Sequence, residues 1–156
     1  MKLAEALLLK EDLQNRLNHL QKRIHSNVTV QEGDSITENP NLLIKEALRI
    51  NEELFSLIKR IHVTNANSKA ISGQPIMNLL MQHDLLKEHH RILQEAINSC
   101  HSPLSDNNRQ DIRWIKMISV ADLQKQADDV NLQIMKSRIE IQSSNWKIEL
   151  LEQAPH

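Results

Sequence analysis

The chain has 156 residues, with 19 Lys+Arg against 20 Asp+Glu, a formal net charge of -1, 2 Gly, 1 Cys, 1 Phe and no Tyr. One cysteine excludes an internal disulfide framework and a cysteine-built zinc site. The balanced charge argues against a phosphate-binding domain, and the longest aliphatic run, Ala6 to Leu9, is too short for a membrane-spanning helix.

The first element is a helix over about 2–25. Leu3, Ala6, Leu13, Leu17, Leu20 and Ile24 follow alternating steps of three and four, broken only at Lys10. Such a helix is about 36 Å long at 1.5 Å per residue. Val28-Thr29-Val30-Gln31 then alternates apolar and polar, which predicts a short strand over 28–31. Glu32-Gly33-Asp34-Ser35 reads as a turn in which Gly33 takes positive φ.

Asn39-Pro40 opens the second helix, over 40–65, with Asn as N-cap and Pro at the first helical position. Leu43, Ala47, Ile50, Leu54, Leu57 and Ile61 form its row. Ile44, Leu48, Phe55 and Ile58 lie beside that row, so the helix is expected to touch at least two neighbours. A polar loop containing Gly73 follows.

The third helix, over 75–100, has the cleanest repeat. Ile76, His83, His90 and Ile97 recur every seven residues, with Leu79, Leu86, Leu93 and Cys100 three further on. Two histidines thus stand on an apolar seam. After a loop around Pro103, Ile112-Arg113-Trp114-Ile115 and the residues to 118 read as a second strand, paired with 28–31 to cap one end of a bundle. Ser119-Val120-Ala121-Asp122 caps a fourth helix over 119–144. Its rows are Val120, Ala127, Ile134, Ile141 and Leu123, Val130, Ser137, Ser144. The second row turns polar, so the helix is expected to fray or leave the core near Asn145-Trp146, and Ile148, Leu150 and Leu151 need burial elsewhere.

No catalytic motif accompanies this pattern. There is no Gly-x-Ser-x-Gly, phosphate loop or His-Glu-x-x-His, and no glutamate is followed by histidine three residues on, as a ferritin-like di-metal site requires. His83 and His90 leave three readings open: polar residues that set register, a pH-sensitive seam, or zinc ligands completed by a partner across a subunit interface. Leu86, Leu93, Trp114 and Trp146 are packing or oligomer-contact candidates, and Asp34, Asn65 and Trp114 are loop and end residues that terminate helices. Basic residues are dispersed and aromatics for base stacking are missing, so no nucleic-acid partner is expected. The opening residues carry no leader pattern, which makes the cytoplasm the expected location.

Met1-Lys2-Leu3-Ala4-Glu5-Ala6-Leu7, Val30-Gln31-Glu32-Gly33-Asp34, Thr64-Asn65-Ala66, Ile112-Arg113-Trp114-Ile115, Val120-Ala121-Asp122-Leu123-Gln124 and Asn145-Trp146 with Glu149-Leu150-Leu151 occur in an order that resembles the septicolysin-like family of bacterial proteins. Lys116 stands where that pattern usually has proline and Ser119 where it has aspartate. The resemblance covers nearly the whole chain. It implies an all-helical protein, carries a haemolysin or pore-forming label, and brings no catalytic residues with it.

These readings converge on one mainly α domain over 1–156, built from long antiparallel amphipathic helices with a short two-stranded β element. Two architectures fit it, a coiled-coil-like helical hairpin and a four-helix bundle. The expected function is non-enzymatic self-assembly into a homo-oligomer, without a cofactor. The alternatives are a pore-forming cytolysin, which alone would engage a membrane, and a metal-binding protein with histidine at a helix seam.

Overall fold

The computed structural model describes residues 1–101 and 115–152. Four helices follow in chain order: α1 Leu3–Asn27, α2 Pro40–Asn67, α3 Ile76–His101 and α4 Val120–Lys147. The chain divides into two compact units. One contains residues 1–69 and 143–156, the other residues 70–142, and α4 belongs to both.

In the first unit α1 and α2 form an antiparallel hairpin. The rows spaced by three and four are the ones buried: Leu3, Ala6, Leu13, Leu17 and Leu20 on α1, and Leu43, Ala47, Ile50, Leu54, Leu57 and Ile61 on α2, share one core with Leu150. Lys10, the break in the α1 row, is exposed. Ile148 packs against this core, so the apolar residues after α4 find their burial here.

Local chemistry sets the helix ends. The Glu5 carboxylate accepts the Lys2 N–H at 2.6 Å, satisfying a donor that the first turn of α1 leaves open. Asn39 Oδ1 accepts the Asn41 N–H at 2.9 Å with Pro40 behind it. Ser119 Oγ accepts the Asp122 N–H at 3.3 Å and caps α4. Gly33 has φ 95°, as its turn requires.

Among the described residues the predicted strand pair does not form. Val28 adopts helical angles as the C-cap of α1 and donates its N–H to Ile24, and Asp34 N–H closes a turn onto Gln31. Val28 and Val30 are half-exposed. Of the second segment, 112–114, with Trp114, lie outside the described residues. Residues 115–118 are exposed and without strand. Alternation over four residues makes a strand only where another edge supplies hydrogen bonds. One isolated bridge lies elsewhere, antiparallel between Lys2 and Glu149.

The connection 28–39 is instead pinned to α1. Asn27, on the buried row, donates from Nδ2 to the Arg23 carbonyl at 2.8 Å and accepts the Glu38 N–H at 3.0 Å. Arg23 forms a fork with the Glu38 carboxylate, Nε to Oε2 at 2.9 Å and Nη2 to Oε1. The hydrogen bond from Arg23 holds the Glu38 carboxyl below the usual glutamate range. Because the folded value is depressed, this clasp contributes above the unfolded value of about 4.3 and is lost as pH falls through the folded one. An NMR titration of the Glu38 side chain is expected to give a midpoint below that of an ordinary glutamate. A midpoint at or above 4.3 contradicts the clasp.

Candidate functional site

Two places gather polar chemistry inside this helical frame, one in each unit. The first lies in the second unit, on the seam between α3 and α4. The α3 row predicted from the sevenfold repeat is the row turned inward: Ile76, Leu79 and Ile97 are buried, and His83, Leu86, His90, Leu93 and Cys100 are half-buried. On α4 the inward row within this unit is Val120, Leu123, Ala127, Val130, Ile134, Ser137 and Ile141.

His83 Nδ1 lies 2.6 Å from Ser137 Oγ, and Ser137 Oγ lies 2.9 Å from the Ile134 carbonyl. The carbonyl can only accept, so the serine hydroxyl donates to it. Ser137 Oγ therefore accepts from His83, and the imidazole carries its proton on Nδ1. This direction is the reverse of nucleophile activation, in which the imidazole accepts the hydroxyl proton. The pair acts as an interhelical clasp, and the imidazolium form, which also has Nδ1–H, keeps it.

A groove of about 410 Å³ lies further along the same seam. His89, Ile92 and Leu93 line it from α3, and Gln126, Asp129 and Val130 from α4. Residue numbers rise along α3 as they fall along α4, from the 83–137 pair to this groove, so the two helices run antiparallel. His83 and His90 are two turns apart, about 10.5 Å along the helix axis. Among the described residues no three His, Cys, Asp or Glu side chains gather as a metal site. A double-mutant cycle of His83→Leu and Ser137→Ala is expected to give a coupling energy of about 1 kcal/mol in urea denaturation. Additive effects would mean that the clasp contributes nothing.

The second place is the end of the first unit where the beginning of the chain meets the end of α4. Leu3 N–H donates to the Ile148 carbonyl and Leu150 N–H to the Met1 carbonyl, both at 2.9 Å. Glu149 pairs with the Lys2 ammonium and, at 3.4 Å, with the N-terminal ammonium. The Lys2 hydrogen bond holds the Glu149 carboxyl below the usual range. Thr64, fully buried on the α2 row, donates its hydroxyl to the Arg60 carbonyl at 2.8 Å and accepts the Leu151 N–H at 2.9 Å.

Sequence reasoning named Asn65 here and missed Thr64. The signal was a polar residue on the next step of an otherwise apolar row. Asn65 lies within α2 and is half-buried, and Asp34 sits in the Gly33 turn. The expected fraying of α4 near Asn145-Trp146 does not occur: the helix runs to Lys147, with Ser144 and Asn145 buried and Trp146 exposed. Its last turn joins the first unit's core, so polar residues there mark a packed end.

The chain is similar to a functionally unknown conserved protein from Corynebacterium diphtheriae, whose crystal structure it matches with a TM-score of 0.85 and 26% sequence identity over 97% of this chain and 99% of that one. No curated protein matches it. The model of a family of unknown function, DUF6847, matches residues 10–150. The chain belongs to the DUF6847 family.

Proposed function

We propose that this protein is a non-catalytic helical building block that assembles with copies of itself. The observation that carries this reading is a second apolar face on helices whose first face is already packed. On α2, Ile44, Leu48 and Phe55 are 40%, 60% and 62% exposed beside the buried row. On α3, Met77, Met81 and Leu85 are exposed away from the seam, and on α4 so are Leu132, Met135 and Ile139. Single exposed apolar residues need no explanation, but rows of them at helical spacing mark an interaction surface. The hydrogen-bond direction at His83 and Ser137 supports the non-catalytic half of the reading.

Light scattering after gel filtration, without lipid, tests it. A single species at a whole multiple of 18.1 kDa is the expected result. A monomer at all concentrations overturns self-assembly. Dye release from liposomes by that monomer would then favour the cytolysin implied by the septicolysin-like resemblance. Among the described residues no helix is long and apolar enough to cross a membrane.

A further inference from the structure

We infer that the cleft between α1 and α2 lined by Arg16, His19 and Arg23 binds the phosphate group of a small soluble phosphomonoester. The inference goes beyond the self-assembly reading and does not depend on it.

The balance of charge over the whole chain hides a local excess. From Leu13 to Gln31 there is no acid, while Arg16, His19, Lys22, Arg23 and His25 are basic. Arg16, His19 and Arg23 follow steps of three and four, so they form one stripe of α1. That stripe runs beside the core row of Leu13, Leu17 and Leu20 and borders the contact with α2. A cleft of about 240 Å³ lies there, and its other lining residues are the buried Leu20 and Ile50 and, from α2, Glu46.

The acids beside the cleft are already engaged. Glu46 accepts from Arg49 through both carboxylate oxygens, at 2.8 and 3.1 Å. The hydrogen bond from Arg49, with a smaller contribution from the charge of Arg16, holds the Glu46 carboxyl below the usual range. The side chain of Arg16 nevertheless has no hydrogen-bond or ion-pair partner among the described residues, and neither has that of His19. Glu38 takes two N–H groups of Arg23, through Nε and Nη2. A guanidinium has five, so Arg23 is held in place with donors to spare. The cleft therefore offers one uncompensated guanidinium, an imidazole and the free edge of a second, anchored guanidinium.

Arg16 and Arg23 stand two turns apart, about 10.5 Å along the axis, with His19 between them. Donors arriving from three positions suit a tetrahedral group with three free oxygens better than a planar carboxylate with two. A phosphomonoester also brings about -1.5 to -2 charges at pH 7. The cleft is smaller than the roughly 300–1,000 Å³ of sites for drug-sized ligands, which limits the occupant to a phosphate on a short body. No aromatic side chain lines it, so nothing there stacks a nucleobase. Residues 54–83 also lack acids, but Arg60 is paired with Glu152, and Lys59, His62 and Lys69 line neither this cleft nor the α3–α4 groove. That groove presents an anion with the Asp129 carboxylate and no guanidinium.

Calorimetric titration at pH 7 and constant ionic strength, with inorganic phosphate and glycerol phosphate as probes, tests the site. Circular dichroism checks the helical fold of each variant. Saturable one-to-one binding of both probes is the expected result, with the His19 ring signals moving along the same isotherm in NMR. Arg16→Gln is expected to weaken binding at least about tenfold, through loss of charge-assisted hydrogen bonds. Arg16→Lys keeps the charge but loses the planar fork, so it should also bind more weakly than the unaltered chain. Lys22→Gln removes one positive charge from the same stretch of α1 without touching the cleft lining, and should leave the affinity nearly unchanged. Absence of saturation, or equal losses from Arg16→Gln and Lys22→Gln, overturns the site in favour of diffuse surface charge. Binding of inorganic phosphate alone overturns the ester. Sedimentation with phosphatidylcholine vesicles, with and without phosphatidic acid, separates the two sources of a phosphate group. Capture by the phosphatidic acid vesicles without binding of glycerol phosphate overturns the soluble ligand. None of these results bears on self-assembly, which native mass decides separately.

Discussion

Leu54→Ala is expected to destabilise the first unit by about 2–5 kcal/mol, the range for emptying a fully packed leucine site. Leu54 is 2% exposed and lies in the single core shared by α1, α2 and Leu150. Two long helices joined by one connection have little freedom to collapse around a missing side chain, since their backbones are rigid over the length of the contact. The matched control is Leu48→Ala. Leu48 sits on the same helix but is 60% exposed, so its loss from an isolated subunit is expected to cost less than about 0.5 kcal/mol. Urea denaturation of both variants at low protein concentration checks the contrast. Equal losses would mean that the buried row has been assigned to the wrong face.

Thr64→Val is the next largest effect, about 1–3 kcal/mol. Valine keeps the shape of threonine but removes the acceptor for the part-buried Leu151 N–H, which is then left without a partner. Loss of the bond from Oγ to the Arg60 carbonyl matters less, because that carbonyl faces its own helix. Thr64→Ser retains both hydrogen bonds and removes one methyl group, at a cost of about 0.8 kcal/mol. The order valine worse than serine is therefore the diagnostic result, read from denaturation and from faster amide exchange at Leu151. If valine is tolerated as well as serine, Thr64 contributes packing alone and the clasp at the chain's ends carries no weight.

Most of the helical frame was legible in the residues. Each row chosen for its alternating three- and four-residue steps is turned inward, from Leu3 to Ile24 on α1 and from Leu43 to Ile61 on α2. The reason is local: in a helix of 3.6 residues per turn, that spacing puts the side chains on one stripe whatever the stripe packs against. Asn39, Pro40, Ser119 and Gly33 were legible for the same reason, as each acts on backbone groups within four residues. The strand pair was misread because a strand is not a local object. Val28 to Gln31 has the alternation but no edge to join, and α1 takes Val28 as its C-cap.

The candidate site divides along the same line. His83 and Ser137 were each visible as polar residues on apolar rows. Their meeting depends on the register between α3 and α4, which no repeat within either helix encodes. Thr64 was visible only as a polar step on a row, and its acceptor role needed the distant Leu151. By itself, then, the sequence determined that this protein is a set of long amphipathic helices, which stripe of each is buried, and where most of them begin. Each of these depends on neighbours within one or two turns. Only the tertiary structure decided that Lys2 meets Glu149, that Thr64 receives Leu151, that Asn27 holds Glu38, and that His83 clasps Ser137. Those pairings join residues 11 to 147 positions apart, where the geometry of chain crossing sets the partner and periodicity is silent.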